Sequence, residues 1–217
     1  MERPVKPAQP LIPATSWQVR GHSRLVLLLY AAVGLAGVAI ALWDGRGATR
    51  LWQYPGGPAF TWTGRVGAAV VGLAVGLGMV WLSRLFAARF DWGRWLEQEF
   101  RQRLGLLGPR DCLILAGASS LAEELLFRGA LVPLLGVIGS SVIFAVFHIG
   151  PRARYLPWTV AAFLGALALG QLFKVTGELT APVLAHLTLN YLNLRHLGRP
   201  PASGPLGAAA WLGGKRP

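Results

Sequence analysis

Leu25–Trp43 runs for nineteen residues without a charged side chain, and Val66–Leu82 repeats the pattern, continuing through Ser83 and Arg84 to Phe86. Wound as a helix, either run is long enough to cross a hydrocarbon core of about 30 Å. Further apolar runs follow from Asp111 onward: Asp111–Leu135, Ile138–Ile149, Leu156–Val175 and Thr180–Leu194. With 53% hydrophobic and only 14% charged residues, gathered in runs rather than short amphipathic periods, the chain reads as an all-α, polytopic transmembrane bundle of about six membrane helices. A small-x-small site at Ala39-Ile40-Ala41 raises a cleaved signal peptide as a rival reading of the first run. That run is longer than the roughly 7–15 residues of a signal core, and its leader is long, so a membrane span is expected instead.

The net charge of +12 raises nucleic acid as a partner, but the basic residues punctuate the ends of apolar runs and form no stripe, so no nucleic acid is expected. With six crossings, segments 1–24, 84–110, 150–155 and 195–217 share one side and hold sixteen Lys and Arg. The opposite loops hold four: Arg46, Arg50, Arg65 and Lys174. The asymmetry places both termini in the cytoplasm of a multi-pass plasma (inner) membrane protein. The single cysteine, Cys112, excludes an intrachain disulfide and reads as a small buried apolar side chain.

Residues 1–24, with four prolines, and 197–217, rich in Gly, Pro and Ala, read as mobile tails. Residues 25–90 hold the first two membrane helices, joined by a turn-rich loop with Trp52, Tyr54 and Trp62 at headgroup level. In 91–106, Trp92, Trp95, Leu96 and Phe100 recur at spacings of three and four, while Glu97/Arg101 and Glu99/Arg103 are i,i+4 pairs. This predicts an amphipathic helix on the membrane interface, or else a helical extension of the second span. Residues 107–196 hold the remaining membrane helices. Ile138–Ile149 rises only about 18 Å and needs protein neighbours at its ends. Gly177 predicts a left-handed C-cap and Pro182 a first-turn proline, so 174–180 reads as a tight helical hairpin. Ala162, Ala166 and Gly170 set a small residue at every fourth position, which permits close packing.

Charge within this core is costly, about 2.5–3.5 kcal/mol per ionisable residue at a helix centre, and its default reading is function. Glu124 and Arg128 are i,i+4 and can neutralise each other, while Glu123 is offset by about 100° and left free. His186 and Asn190 share a helical face, and His148 lies one turn beyond Phe144. A Glu near a His can activate water as a general base, and a His with an Asn can stabilise an oxyanion. The same Glu123, His148 and His186 are equally a catalytic zinc set, although no His-Glu-x-x-His run is present. Ser119 and Ser120 lack a Gly-x-Ser-x-Gly context, Cys112 has no His beside it in sequence, and His22 and His196 fall in polar segments without an assigned role. A proton-relay transporter would show inverted-repeat symmetry, and the hydropathy has none.

Three motifs carry a resemblance: Glu123-Glu124-Leu125-Leu126-Phe127-Arg128 followed by Gly129, Phe144 to His148, and His186 to Asn190 preceded by Thr176–Pro182. In this order and spacing they resemble the CPBP intramembrane endopeptidases, which include CAAX prenyl-protein proteases and bacterial Abi or bacteriocin self-immunity proteins. The likeness runs from about Asp111 to Asn193. It implies hydrolysis of a peptide bond in a membrane-associated protein or peptide, prenylated CAAX-type substrates included. Glu123 would be the base, His148 would orient water, and His186 with Asn190 would bind the oxyanion. Glu124, Arg128 and Phe144 would support the site. The resemblance implies no obligatory cofactor on the water-activation account, with zinc on Glu123, His148 and His186 as the alternative. A non-catalytic scaffold or immunity protein is the other reading. The chain departs from the family in the short stretch between Arg128 and His148, with Pro133, Gly136 and Gly139.

Overall fold

The computed structural model describes residues 16–58 and 61–199, with side chains from Arg24 onward except Thr49. Most of the two expected tails, 1–15 and 200–217, lies outside the described residues. The described chain is helical, with a single isolated bridge, Gln53 to Glu178.

Helix α1 (Ser16–Trp43) starts within the stretch expected to be tail. The last leader proline is Pro13, and beyond it extending a helix adds one hydrogen bond per residue fixed, so the helix continues past the apolar run. Helix α2 (Trp62–Arg89) is capped by the Thr61 hydroxyl, which accepts from Gly64 N at 3.0 Å. Phe90 is extended (φ −123°, ψ 138°) and separates α2 from α3 (Asp91–Leu104), so α3 is a distinct amphipathic helix rather than a straight continuation. Its aromatic face packs on other protein elements: Trp95 on Tyr155 (5.1 Å) and Phe100 on Trp158 (5.5 Å). Its charged face carries the Glu97–Arg101 and Glu99–Arg103 pairs read from spacing. His196, without an assigned role from sequence, bonds to α3 through Glu97 Oε1 at 2.8 Å.

The motif region is one helical column with two irregularities. α4 (Pro109–Glu123) passes into a π-helical stretch, Glu124–Leu131, and then into α5 (Val132–Val146). Within α5, Gly136 has φ 72° and breaks the column at the boundary between the two expected helices. Only glycine adopts that conformation at little cost. Pro133 has no N–H to give the carbonyl of Gly129, four residues earlier. Arg46, from the loop after α1, supplies the missing donor: Nη1 to Gly129 O at 2.9 Å and Nη2 to Ala130 O at 3.0 Å. Ser140 Oγ donates to Phe127 O at 2.6 Å on the other side.

α6 (Leu156–Thr176) and α7 (Thr180–Leu197) form the predicted hairpin, with Gly177 left-handed at φ 77° and donating to Phe173 O. Small residues set the packing. A Cβ on Gly72 would lie 2.4 Å from Ala181 O, and one on Gly76 2.6 Å from Ala185 O, so α2 and α7 touch backbone to backbone. Gly37 of α1 lies against Leu126 and Gly34 against Ala122, while Gly170 of the small-residue stripe lies against Val137. The α1–α2 loop folds over the hairpin, with Tyr54 N donating to Gly177 O (2.8 Å) and Leu179 N to Trp52 O (3.0 Å).

Four stretches are long and apolar enough to cross a membrane: Arg24–Trp43, Trp62–Arg89, Pro109–Val146 and Ala153–Thr176. α7, the expected sixth membrane helix, is not among them. It carries His186, Asn190, Asn193 and Arg195 and is enclosed by α2 and α4. Leucine and valine side chains stay exposed along α1 and α2, as lipid contact requires.

Candidate active site

The site forms where α4, the π-helical stretch, the end of α5 and α7 meet. Glu124 and Arg128 are fully enclosed, at 0% and 1% side-chain exposure, and Arg128 Nη1 donates to Glu124 Oε1 at 2.9 Å. The pair read from spacing is therefore present, and the guanidinium is held further by Ala166 O (3.3 Å) and by the Phe144 ring beneath it (4.9 Å).

Spacing alone predicted no further partner for Glu124, but His186 Nδ1 also lies 2.8 Å from its Oε1. A carboxylate only accepts, so Nδ1 carries the proton in that bond and Nε2 turns toward Glu123. The distance from Nε2 to Glu123 Oε2 is 3.8 Å. Glu123 keeps 13% side-chain exposure and has the looser contact, so the expected division into a neutralised and a freer carboxylate is what the geometry displays.

His148 lies just past the end of α5, half-buried. Its ring stacks on Phe144 (4.2 Å, 19°), meets Trp158 at 5.3 Å, and its Nδ1 lies 2.7 Å from Phe144 O. The carbonyl accepts, so Nδ1 is the protonated nitrogen and Nε2 is left with its lone pair. Phe144 also meets His186 edge-on at 6.3 Å, so one ring lies between the two imidazoles. Asn190 is joined more remotely: its Nδ2 donates to Ser119 Oγ at 2.9 Å, and Ser119 in turn donates to Ala116 O. Ser119, dismissed as a nucleophile, is thus the anchor of Asn190.

Glu123, Glu124, Arg128, Phe144, His148 and His186 form one connected cluster, and Asn190 reaches it through α4. Glu123 and His148 share no direct hydrogen bond among the described residues. Among the described residues no three His, Cys, Asp or Glu side chains are grouped closely enough to hold a metal ion. Two contributors were missed from sequence. Tyr30 of α1 lies beside Ser119 and Glu123. Its only signal was a phenol inside an otherwise hydroxyl-free apolar run. Trp158, beside His148, is one of nine tryptophans and carried no distinguishing mark.

Comparison with known proteins bears on the same segment. Residues 109–192 match the family described as type II CAAX prenyl endopeptidase, Rce1-like, and so include every site residue except Tyr30. Over 69 residues the chain is 35% identical to the uncharacterized protein YpbD of Bacillus subtilis (strain 168). That alignment covers 32% of this chain and 36% of the relative, so the chain spans little more than a third of that protein. No solved structure matches the chain.

Proposed function

We propose, from the match of residues 109–192 to the type II CAAX prenyl endopeptidase, Rce1-like, family, that this integral membrane protein hydrolyses a peptide bond of a membrane-associated protein or peptide. A prenylated CAAX-type substrate is the family's suggestion for the chemical class. Glu123 takes a proton from water as its oxygen attacks the carbonyl carbon and returns it to the leaving amine as the C–N bond breaks, and His148, whose Nε2 is an acceptor, orients that water. The oxyanion of the tetrahedral intermediate is met by Asn190, which has one amide N–H left after Ser119, and by His186 Nε2, which donates with the ring protonated on both nitrogens. Glu124 and Arg128 position His186 and do not touch substrate. No step is routed through a metal.

One observation carries this reading. Of two adjacent glutamates, one is locked by Arg128 and His186 while the other stays partly accessible and only 3.8 Å from the same imidazole. A structural ion-pair network has no use for the second carboxylate. The excess of Lys and Arg on one set of loops further supports cytoplasmic termini and an inner-membrane location.

The experiment is cleavage of a lipidated peptide by the purified protein in micelles. Glu123→Gln and His148→Ala must each abolish turnover while retaining the wild-type unfolding transition. Full turnover in both variants sinks the enzyme reading and favours a scaffold or immunity role, in which the same variants keep the biological phenotype.

A further inference from the structure

At the end of the bundle where α1 and α6 finish and α2 and α7 begin, the α1–α2 loop and the hairpin turn enclose a cavity of about 650 Å³. Its wall includes Arg46, Arg50, Arg65 and Glu178. The catalytic cluster uses none of them. The floor is fixed by backbone contact: a Cβ on Gly57 would lie 2.9 Å from Gly177 Cα, and Tyr54 N donates to Gly177 O.

The charges in this cavity differ in how they are engaged. Arg46 is fully committed, with Nε on Asp44 at 2.6 Å and both terminal nitrogens on the Gly129 and Ala130 carbonyls. Arg50 is exposed and makes no side-chain hydrogen bond or ion pair among the described residues. Glu178 is the anomaly. Its side chain is 6% exposed, Arg65 Nε lies 3.4 Å from its Oε2, and neither oxygen accepts a hydrogen bond. A buried carboxylate with a cation beside it but no hydrogen bond on either oxygen has acceptor capacity that a bound N–H group would fill.

We infer that this cavity binds a phosphate ester bearing a primary ammonium, the chemistry of a phosphoethanolamine headgroup. The ammonium presents three N–H donors to Glu178, and the phosphate oxygens take Arg50, while Arg65 stays with Glu178. A zwitterion suits a wall that offers both signs, since it meets each charge with its opposite. The cavity also lies at the ends of three helices long and apolar enough to cross a membrane, α1, α2 and α6, with Trp52, Tyr54 and Trp62 in the adjoining segments, which is headgroup level. The source is the bilayer. This assignment is independent of the proteolytic reading, because it uses residues outside the cluster.

The test is lipid retention by the full-length protein, followed by native mass spectrometry during exchange with phosphatidylethanolamine, phosphatidylcholine or phosphatidylglycerol in mixed micelles. Trimethylammonium has no N–H and glycerol no cation. Phosphatidylethanolamine should therefore be retained about tenfold more tightly than either, a difference of about 1.4 kcal/mol. Glu178→Gln should abolish that preference, and Arg50→Ala should weaken all three lipids together. If Glu178→Gln does not fold, the wild-type ranking and Arg50→Ala still decide. Free phosphoethanolamine that displaces the lipid confirms headgroup recognition, and binding of the free ester alone would move the source to solution with the chemistry unchanged. Equal retention of the ethanolamine and choline lipids by the wild-type protein overturns the inference, as does a preference that survives Glu178→Gln.

Discussion

The locked pair at the centre of the site can be measured as a coupling. Glu124 and Arg128 are at 0% and 1% exposure, 2.9 Å apart, and each has further partners: His186 for the carboxylate, Ala166 O and the Phe144 face for the guanidinium. Replacing Arg128 by Met leaves an enclosed carboxylate with one imidazole donor and with Oε2 already unpartnered. Removal of one member of a buried pair costs about 3–5 kcal/mol. Glu124→Gln strands the cation instead, with the carbonyl and the aromatic face as partial compensation, so its cost should lie at the lower end of that range. In the double variant neither charge is stranded, so its cost should not exceed that of Arg128→Met alone. Unfolding in mixed micelles of rising SDS fraction, followed by tryptophan emission, gives all four corners of the cycle. Glu123→Gln is the internal control: a partly accessible carboxylate whose neighbouring imidazole nitrogen is 3.8 Å away should change stability by less than about 1 kcal/mol. Additive costs in the double variant, or single-variant costs below about 1 kcal/mol, would refute the claim that Glu124 is structural and Glu123 free.

Two further predictions concern packing and pH. Gly76→Ala should cost about 1–3 kcal/mol in the same unfolding assay, because its Cβ would lie 2.6 Å from Ala185 O, whereas Gly78→Ala on the same helix meets nothing within 4 Å and should be near neutral. The tie between α3 and the end of α7 should loosen on acidification. Burial alone would raise the Glu97 carboxyl, but hydrogen bonds from Arg101 and His196 outweigh it and hold it below its ordinary 4.5, while burial first, then the Arg84 charge, lowers His196 below 6.5. Both folded-state values are depressed, so the unfolded chain takes up protons first and stability falls as pH drops below about 6.5 and again below about 4.5. Hydrogen exchange of the α3 amides at pH 7 and pH 5 reads this loosening, and equal protection at both would overturn it.

What the sequence made legible followed from local rules. Nineteen uncharged residues must be a membrane helix, Glu124 four residues before Arg128 must share its face, and Gly177 before Pro182 must close a hairpin. The unread features depended on distant contacts. Arg46 was assigned to topology by its position in a loop. Its guanidinium instead completes carbonyls in the π-helical stretch, a pairing across |i−j| of 83 and 84 that no local pattern encodes. The partner of Glu124 on α7 is separated from it by 62 positions. His186 could be given a face by helical periodicity, but not the carboxylate that fixes its proton.

This distance dependence also explains why the helices without a family match matter to the site. Gly34 and Gly37 let α1 press against Ala122 and Leu126, which brings Tyr30 level with Ser119, the residue that holds Asn190. On the other flank, Gly72 and Gly76 let α2 meet α7 at Ala181 and Ala185, the residue before His186. Larger residues at those four glycines would move α4 and α7 independently. The 3.8 Å between Glu123 and His186 would then open before any residue of the cluster had changed. The geometry of the candidate base is thus set as much by the first two helices as by the segment that carries the motifs.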